Sequence, residues 1–256
     1  MMLTPDQIDG FISDGFVRLD DVVPRAGIEA VQRILWTFAR CEPDDPNSWT
    51  EPVVRLGEFG HLPFREAANL PLLHTAFDQL VGPGRWTPCD TLGGFVIRFP
   101  SDGAAARPGW HVDTSFDTDR ADFRDGRVNV ASRGRALLML FLFSDVGEDD
   151  APVRLRVGSH QHVARQLAPA GNAGLSLREL GVDGFAETAH CPEMLATGRA
   201  GTVYLCHPFL VHDVRAHHGR QPRILAQPRL PAREPFRMDT PLFPVGVAID
   251  RALKAA

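Results

Sequence analysis

The chain of 256 residues is 44% hydrophobic and 23% charged, a composition that supports a substantial globular core. A net charge of −5 argues against a broad nucleic-acid footprint, which needs a basic face. The longest apolar run, Ala136–Phe143, falls short of the roughly 20 residues of a bilayer span.

Met1–Asp6 lacks a basic segment followed by an apolar stretch, so no signal peptide is expected. Cys41, Cys89, Cys191 and Cys206 form no C-x-x-C pair. They read as thiols of a reducing compartment rather than a disulfide framework or zinc knuckle. A cytoplasmic protein acting on a small molecule, with no membrane or nucleic-acid partner, is the expectation.

In chain order, Thr4-Pro5-Asp6-Gln7 predicts a helix start with a capping box, followed by an apolar stripe at Ile8, Phe11 and Ile12. Gly15 ends that helix, and Phe16–Leu19 alternates as a short strand. A second helix is predicted over 24–39 and a third over Arg65–Leu80, with 41–64 irregular between them. From Thr91 the pattern changes to short strands punctuated by Gly, Pro and Asp: 93–99, 109–113, 136–143, 153–157, 202–206, 209–214 and 223–227. Residues 161–200 interrupt them as a long excursion, and a last helix is predicted near 246–253. The expected fold is mainly β with flanking helices: a double-stranded β-helix, or jelly roll, over about 91–230. A helical part over about 1–82 precedes it and a segment over 231–256 follows, all in one domain.

The chemistry centres on Arg107–Phe116, which contains Trp110-His111-Val112-Asp113. In an extended strand residues i and i+2 share a face, so His111 and Asp113 project together. They make up two-thirds of a 2-His-1-carboxylate triad, the ligand set that leaves positions open on Fe(II). The third ligand should be a strand-borne histidine. His212, the polar interruption in Phe209–Val214, fits best; His207 precedes a proline, and His217 and His218 lie in a hydrophilic stretch. Eleven residues later Arg223 opens the apolar strand Arg223–Ala226. A buried arginine there needs an anion, because an unpaired buried charge is costly. The distal carboxylate of 2-oxoglutarate would suit its guanidinium fork.

Together these segments resemble the phytanoyl-CoA dioxygenase family of iron- and 2-oxoglutarate-dependent oxygenases. Phe11–Leu19 is similar to that family's first helix-to-strand passage, and Trp110–Asp113 to its W-H-x-D. Ala151–His160 is similar to its G-x-x-x-x-x-P-G-S-H segment, with Ala151 and Val157 in place of the usual Gly and Pro. Gly201–Arg223 resembles its closing block, including the His-to-Arg spacing. The resemblance implies Fe(II) on His111, Asp113 and His212, and 2-oxoglutarate on Arg223. It also implies contacts to that cosubstrate from Arg98 and Leu140. The implied reaction consumes O2, hydroxylates an aliphatic C–H of a small metabolite, and releases succinate and CO2. Halogenating members lack the carboxylate that Asp113 supplies here. No residues form a phosphate-cradling loop or a CoA site.

Two other readings accompany this one: a cupin-type metalloenzyme without 2-oxoglutarate, and a non-catalytic small-molecule-binding jelly roll. Individual residues also have structural readings. Arg223 could pair with Asp213, Arg98 could be a structural or surface residue, and Arg154 and Arg156 could lie on a solvated face. His160 would fix a turn, His160 with His162 lacks a third metal partner, and Trp110 would face away from the metal into the core.

Overall fold

The computed structural model describes residues 2–101, 109–119, 121–237 and 242–255; Arg107 and Pro108 of the ten-residue motif lie outside them. Helix α1 (Pro5–Asp14) begins as the sequence predicts. The Gln7 N–H donates to Thr4 Oγ1 at 3.2 Å, the Thr4 N–H donates to Gln7 Oε1 at 2.9 Å, and Pro5 opens the first turn. Strand β1 (Phe16–Leu19) and helix α2 (Arg25–Ala39) follow.

The predicted helix over Arg65–Leu80 is corrected to two, α3 (Leu62–Ala68) and α4 (Pro71–Leu80). Pro71 has no amide hydrogen with which to continue α3, and it holds Leu70 extended at ψ 140°. Residues 41–64, expected to be irregular, contain β2 (Val53–Leu56).

The β-rich part comprises β3 (Phe95–Arg98), β4 (Arg127–Val128), β5 (Leu137–Leu142) and β6 (Val153–Arg156), then α5 (Ser159–Leu167), β7 (Leu175–Ser176), α6 (Leu177–Leu180) and β8 (Glu193–Ala196). It continues with β9 (Val203–Cys206), β10 (His212–Val214), β11 (Arg223–Ala226) and β12 (Arg229–Leu230), and α7 (Pro244–Lys254) ends the described chain. The major sheet runs β1-β9-β5-β11-β3-β2, with β12 also on β5. The minor sheet is β10-β6-β8, and β4 pairs with β7. All of these pairs are antiparallel. The fold is the jelly roll with flanking helices that the strand pattern predicts. The 161–200 excursion is knitted into it: α5 packs against α7, and β8 pairs with β6.

Strand β5 shows how the core divides. All six of its residues are buried. Leu137, Met139 and Phe141 join the large core shared with the helices, while Leu138, Leu140 and Leu142 fill the space between the sheets with Leu155, Tyr204 and Leu225. The period-2 alternation of a strand produces this split. Each such side chain contributes roughly 1.5–3 kcal/mol by burial. No described helix is long and apolar enough to cross a membrane.

Candidate metal centre and cavities

The segment expected as a strand over 109–113 is a single antiparallel bridge, His111 to His212. The two backbones exchange hydrogen bonds of 3.0 and 2.9 Å, which extends the minor sheet by one residue beyond β10. Gly109, at φ +76°, turns the chain into this bridge, and its carbonyl accepts a hydrogen bond from His111 Nδ1 at 2.7 Å. His212 Nδ1 likewise donates to the Leu210 carbonyl at 3.0 Å. A carbonyl only accepts, so both Nδ1 atoms carry a proton and the Nε2 atoms are the ones left to meet a metal. The ring centroids are 4.3 Å apart.

Asp113 Oδ1 lies 4.0 Å from His111 Nε2 and 3.8 Å from His212 Nε2. One donor atom from each of the three residues falls within 4.8 Å of the others. Burial alone would raise the Asp113 carboxyl, but Arg135, His212, His111 and a Gln227 hydrogen bond together hold it below the usual range. Burial, and then His111, press His212 down to about 4. The set is therefore two imidazoles, of which His212 is held neutral, and one ionised carboxylate, and it fits a divalent transition metal held on one face.

Arg135 and Gln227 support the set and went unnoticed in the sequence. Arg135 Nη1 is 3.4 Å from Asp113 Oδ2, and its Nε and Nη2 donate to the Thr114 carbonyl at 3.1 and 2.8 Å. Gln227 Nε2 donates to Asp113 Oδ2 at 3.2 Å and to His212 Nε2 at 2.9 Å. Arg135 follows Gly134, which sits at φ +83°, where a Cβ would collide with the Ser115 carbonyl. The signal for Arg135 was available: a cation at the head of the most apolar strand, as with Arg223.

The three donors open onto a cavity of about 540 Å³. Its other wall is the inner face of the major sheet. Arg223, Leu225 and Gln227 alternate onto that face, and Arg98 stands directly opposite Arg223 in register. Arg55, on β2 opposite Val96, lines the same cavity. Arg223 is only 2% exposed, and its Nε and Nη1 find no hydrogen-bond partner among the described residues. Burial, with Arg98 and Arg55 nearby, lowers its guanidinium to about 9. The suggested Arg223–Asp213 pair is absent, since Asp213 pairs with Arg154 at 2.6 Å. Arg98 is buried rather than at the surface. Leu140 is buried between the sheets opposite Tyr204 and is not on the cavity wall.

A second cavity of about 340 Å³ reaches His111 and Asp113 as well, through Trp110, Phe123, Leu177 and Phe185. Trp110 packs against the large core as expected and also lies on this wall, with the guanidiniums of Arg154 and Arg156 at 4.5 and 4.0 Å from its ring centre. Arg156, expected on a solvated face, is buried and donates to the Phe185 carbonyl and Thr188 Oγ1. His160 is fixed as expected, through Nε2 to the Ile12 carbonyl at 3.1 Å.

The fold has counterparts among solved structures. SnoK, a non-heme alpha-ketoglutarate-dependent carbocyclase from nogalamycin biosynthesis, superposes with a TM-score of 0.59 at 16% identity, over 88% of this chain and 82% of its own. HygX from Streptomyces hygroscopicus, solved with nickel, 2-oxoglutarate and hygromycin B bound, gives 0.54 at 19% identity, over 88% and 86%. EctD from S. alaskensis, solved with 2-oxoglutarate and 5-hydroxyectoine, gives 0.56 at 20% identity, over 88% and 74%. At these identities the likeness establishes the fold. No protein-family profile and no curated sequence matches the chain.

Proposed function

We propose that the chain is an Fe(II)- and 2-oxoglutarate-dependent oxygenase of the phytanoyl-CoA dioxygenase type, hydroxylating an aliphatic C–H of a small molecule. One observation carries the proposal: a single cavity has the His111, Asp113, His212 set on one wall and the buried cation Arg223 on the other. A dianion with a chelating 2-oxo acid at one end and a carboxylate at the other answers both. Its fold-mates point the same way, since HygX and EctD were solved with 2-oxoglutarate.

His111 Nε2, His212 Nε2 and an Asp113 oxygen would hold the iron. Bound there, iron supplies the activation of O2 that couples decarboxylation of 2-oxoglutarate, to succinate and CO2, with oxidation of a substrate C–H. The protein's part is positioning. Arg223, with Arg98 across the ladder, receives the distal carboxylate and so directs the 2-oxo acid end toward the triad. Arg135 keeps Asp113 ionised and aimed. Phe95 and Leu225 line the cavity with apolar surface and exclude water. The second cavity approaches His111 and Asp113 past Trp110 and Phe123, and holds the substrate.

The test is anaerobic addition of Fe(II) and 2-oxoglutarate. A visible metal-to-ligand charge-transfer band is expected for the wild type and not for His111→Ala or Asp113→Ala. Succinate release that persists in either variant would remove the triad assignment. A 2-oxoglutarate-independent metalloenzyme would bind Fe(II) without developing the band.

A further inference from the structure

Residues 186–191 and helix α5 bring together a second set of ligand-type side chains, apart from the triad. His162, on α5, meets His190 and Cys191, which follow the 3-10 turn Ala186–Thr188. One ligand atom from each of the three lies within 4.8 Å of the other two. The imidazoles meet edge to face, with centroids 5.0 Å apart at 78°. Neither ring is engaged in a hydrogen bond among the described residues, unlike the rings of His111, His160, His207, His212 and His217. Cys191 is buried at 8% exposure, His162 is half-buried and His190 is exposed. The set thus joins a buried sulfur, a half-buried imidazole and an exposed one, an arrangement a cation can enter from the solvent side. The partner that the pair His160 and His162 lacks in sequence is supplied to His162 from nearly thirty residues downstream.

We propose that His162, His190 and Cys191 bind a borderline-soft divalent cation of the zinc class, which pins the 185–191 segment to α5. Thiolate and imidazole are the ligands such ions select, whereas the oxygen-preferring Mg(II) and Ca(II) would not be retained. Tetrahedral zinc, with bonds of about 2.0–2.3 Å, would draw the three atoms to about 3.5 Å apart, so side-chain adjustments of about 1 Å suffice. The exposed side leaves the fourth position to water or to Glu187, whose carboxylate acts on His162 electrostatically. Burial raises the Cys191 thiol and Arg156 opposes that rise; the thiol proton leaves to solvent as the metal binds. Arg165 and Arg156 bring positive charge near the site, and a coordinated thiolate offsets part of it.

The site connects to the second cavity. The Cys191 N–H donates to the Thr188 carbonyl, Arg156 donates to Thr188 Oγ1 and the Phe185 carbonyl, and its guanidinium covers Trp110. Phe185 and Trp110 both line that cavity. A metal here therefore sets the rigidity of the wall beside His111 without touching the triad.

Co(II) tests this, because sulfur gives a near-ultraviolet thiolate-to-cobalt charge-transfer band that the sulfur-free triad does not. Full-length, chelator-stripped protein is titrated with Co(II) alone, anaerobically and under a non-thiol reductant. The wild type should show this band and bind two Co(II) per chain by equilibrium dialysis. Cys191→Ser should lose the band and one equivalent. Because Cys191 is buried, the exposed substitution His190→Gln is the second arm, and at least a tenfold loss of affinity at the sulfur site is expected. One equivalent in the wild type with no thiolate band would overturn the proposal, as would a band unchanged in both variants.

Discussion

Replacing Arg223 by methionine should move stability and cosubstrate affinity in opposite directions. The guanidinium is buried, two of its nitrogens lack partners among the described residues, and its pKa is lowered from 12.5 to about 9. At about 1.4 kcal/mol per pH unit, holding that charge without an anion costs the fold on the order of 5 kcal/mol. Replacing buried charges by apolar groups of similar volume recovers less, about 1–4 kcal/mol. The ligand-free Arg223→Met variant should therefore melt higher, by roughly 2–4 °C per kcal/mol for a chain of this size. The gain should be level between pH 6 and 8, because folded and unfolded arginine are both protonated there; the penalty fades only as pH rises through about 9. Binding of 2-oxoglutarate should weaken by about 2–5 kcal/mol, the usual loss when one partner of a buried charge pair is removed. Thermal unfolding without ligand and calorimetric titration of 2-oxoglutarate onto the Mn(II)-loaded protein, in which turnover is blocked, measure both effects. A variant that melts lower and binds 2-oxoglutarate as before would make Arg223 a structural residue and refute the reasoning.

Arg135→Met should weaken metal binding about 10- to 100-fold, as loss of an outer partner to a ligand typically does, and Arg135→Lys should recover part of it. Fe(II) affinity of the two variants by competition with a chelator checks this, and equal affinities in wild type and methionine variant would free Asp113 from Arg135. Gly134→Ala forces a side chain into left-handed backbone against the Ser115 carbonyl, and should cost roughly 2 kcal/mol or more in denaturant unfolding. His207 is fully buried against His160, and burial holds its pKa well below 6.5. Below pH 6.5 the unfolded chain binds a proton there that the folded chain does not, so stability falls as pH falls, by about 1.4 kcal/mol per unit for this group. Urea unfolding at pH 7, 6 and 5 should show a shallower decline for His207→Gln; parallel declines would show that His207 titrates normally.

Much of this site could be read from the chain because strands report their faces directly. Arg223 with its apolar successors is a strand pattern whose spacing carries the geometry, and His111 with Asp113 is a local pair that meets in the triad although 109–113 forms one bridge rather than a strand. The capping box at Thr4 and the division of β5 into two cores are likewise local. What the sequence hid is what depends on strand order. Arg55, which went unremarked, reaches the cavity only because β2 follows β3 and β11 in the sheet, and Arg98 was signalled by the family resemblance rather than by its own spacing. Gln227 touches His212 only because β11 lies across from β10 in the other sheet. Trp110 packs against the core as its position suggests, but its place on the second cavity depends on Arg154, Arg156 and Phe185 from distant elements.

The two sheets divide the work, and that division explains where the cavity sits. His212 belongs to the minor sheet, and His111 is bridged to it. Arg223, Arg98 and Arg55 belong to the major sheet. Along β5 the space between the sheets is closed by Leu138, Leu140 and Leu142, which pack at the density of any core. On β11 the residues facing that space are Arg223, Leu225 and Gln227. Here long polar side chains replace compact apolar ones. Arg223 and Arg98 repel each other across the ladder, and the carboxylate of Asp113 is already engaged by Arg135 and Gln227. Neither wall can therefore close on the other without a ligand of opposite charge. The gap is a consequence of charge placement on an otherwise ordinary jelly roll, and under the proposed function the stability forgone at Arg223 is returned when the distal carboxylate of 2-oxoglutarate occupies it.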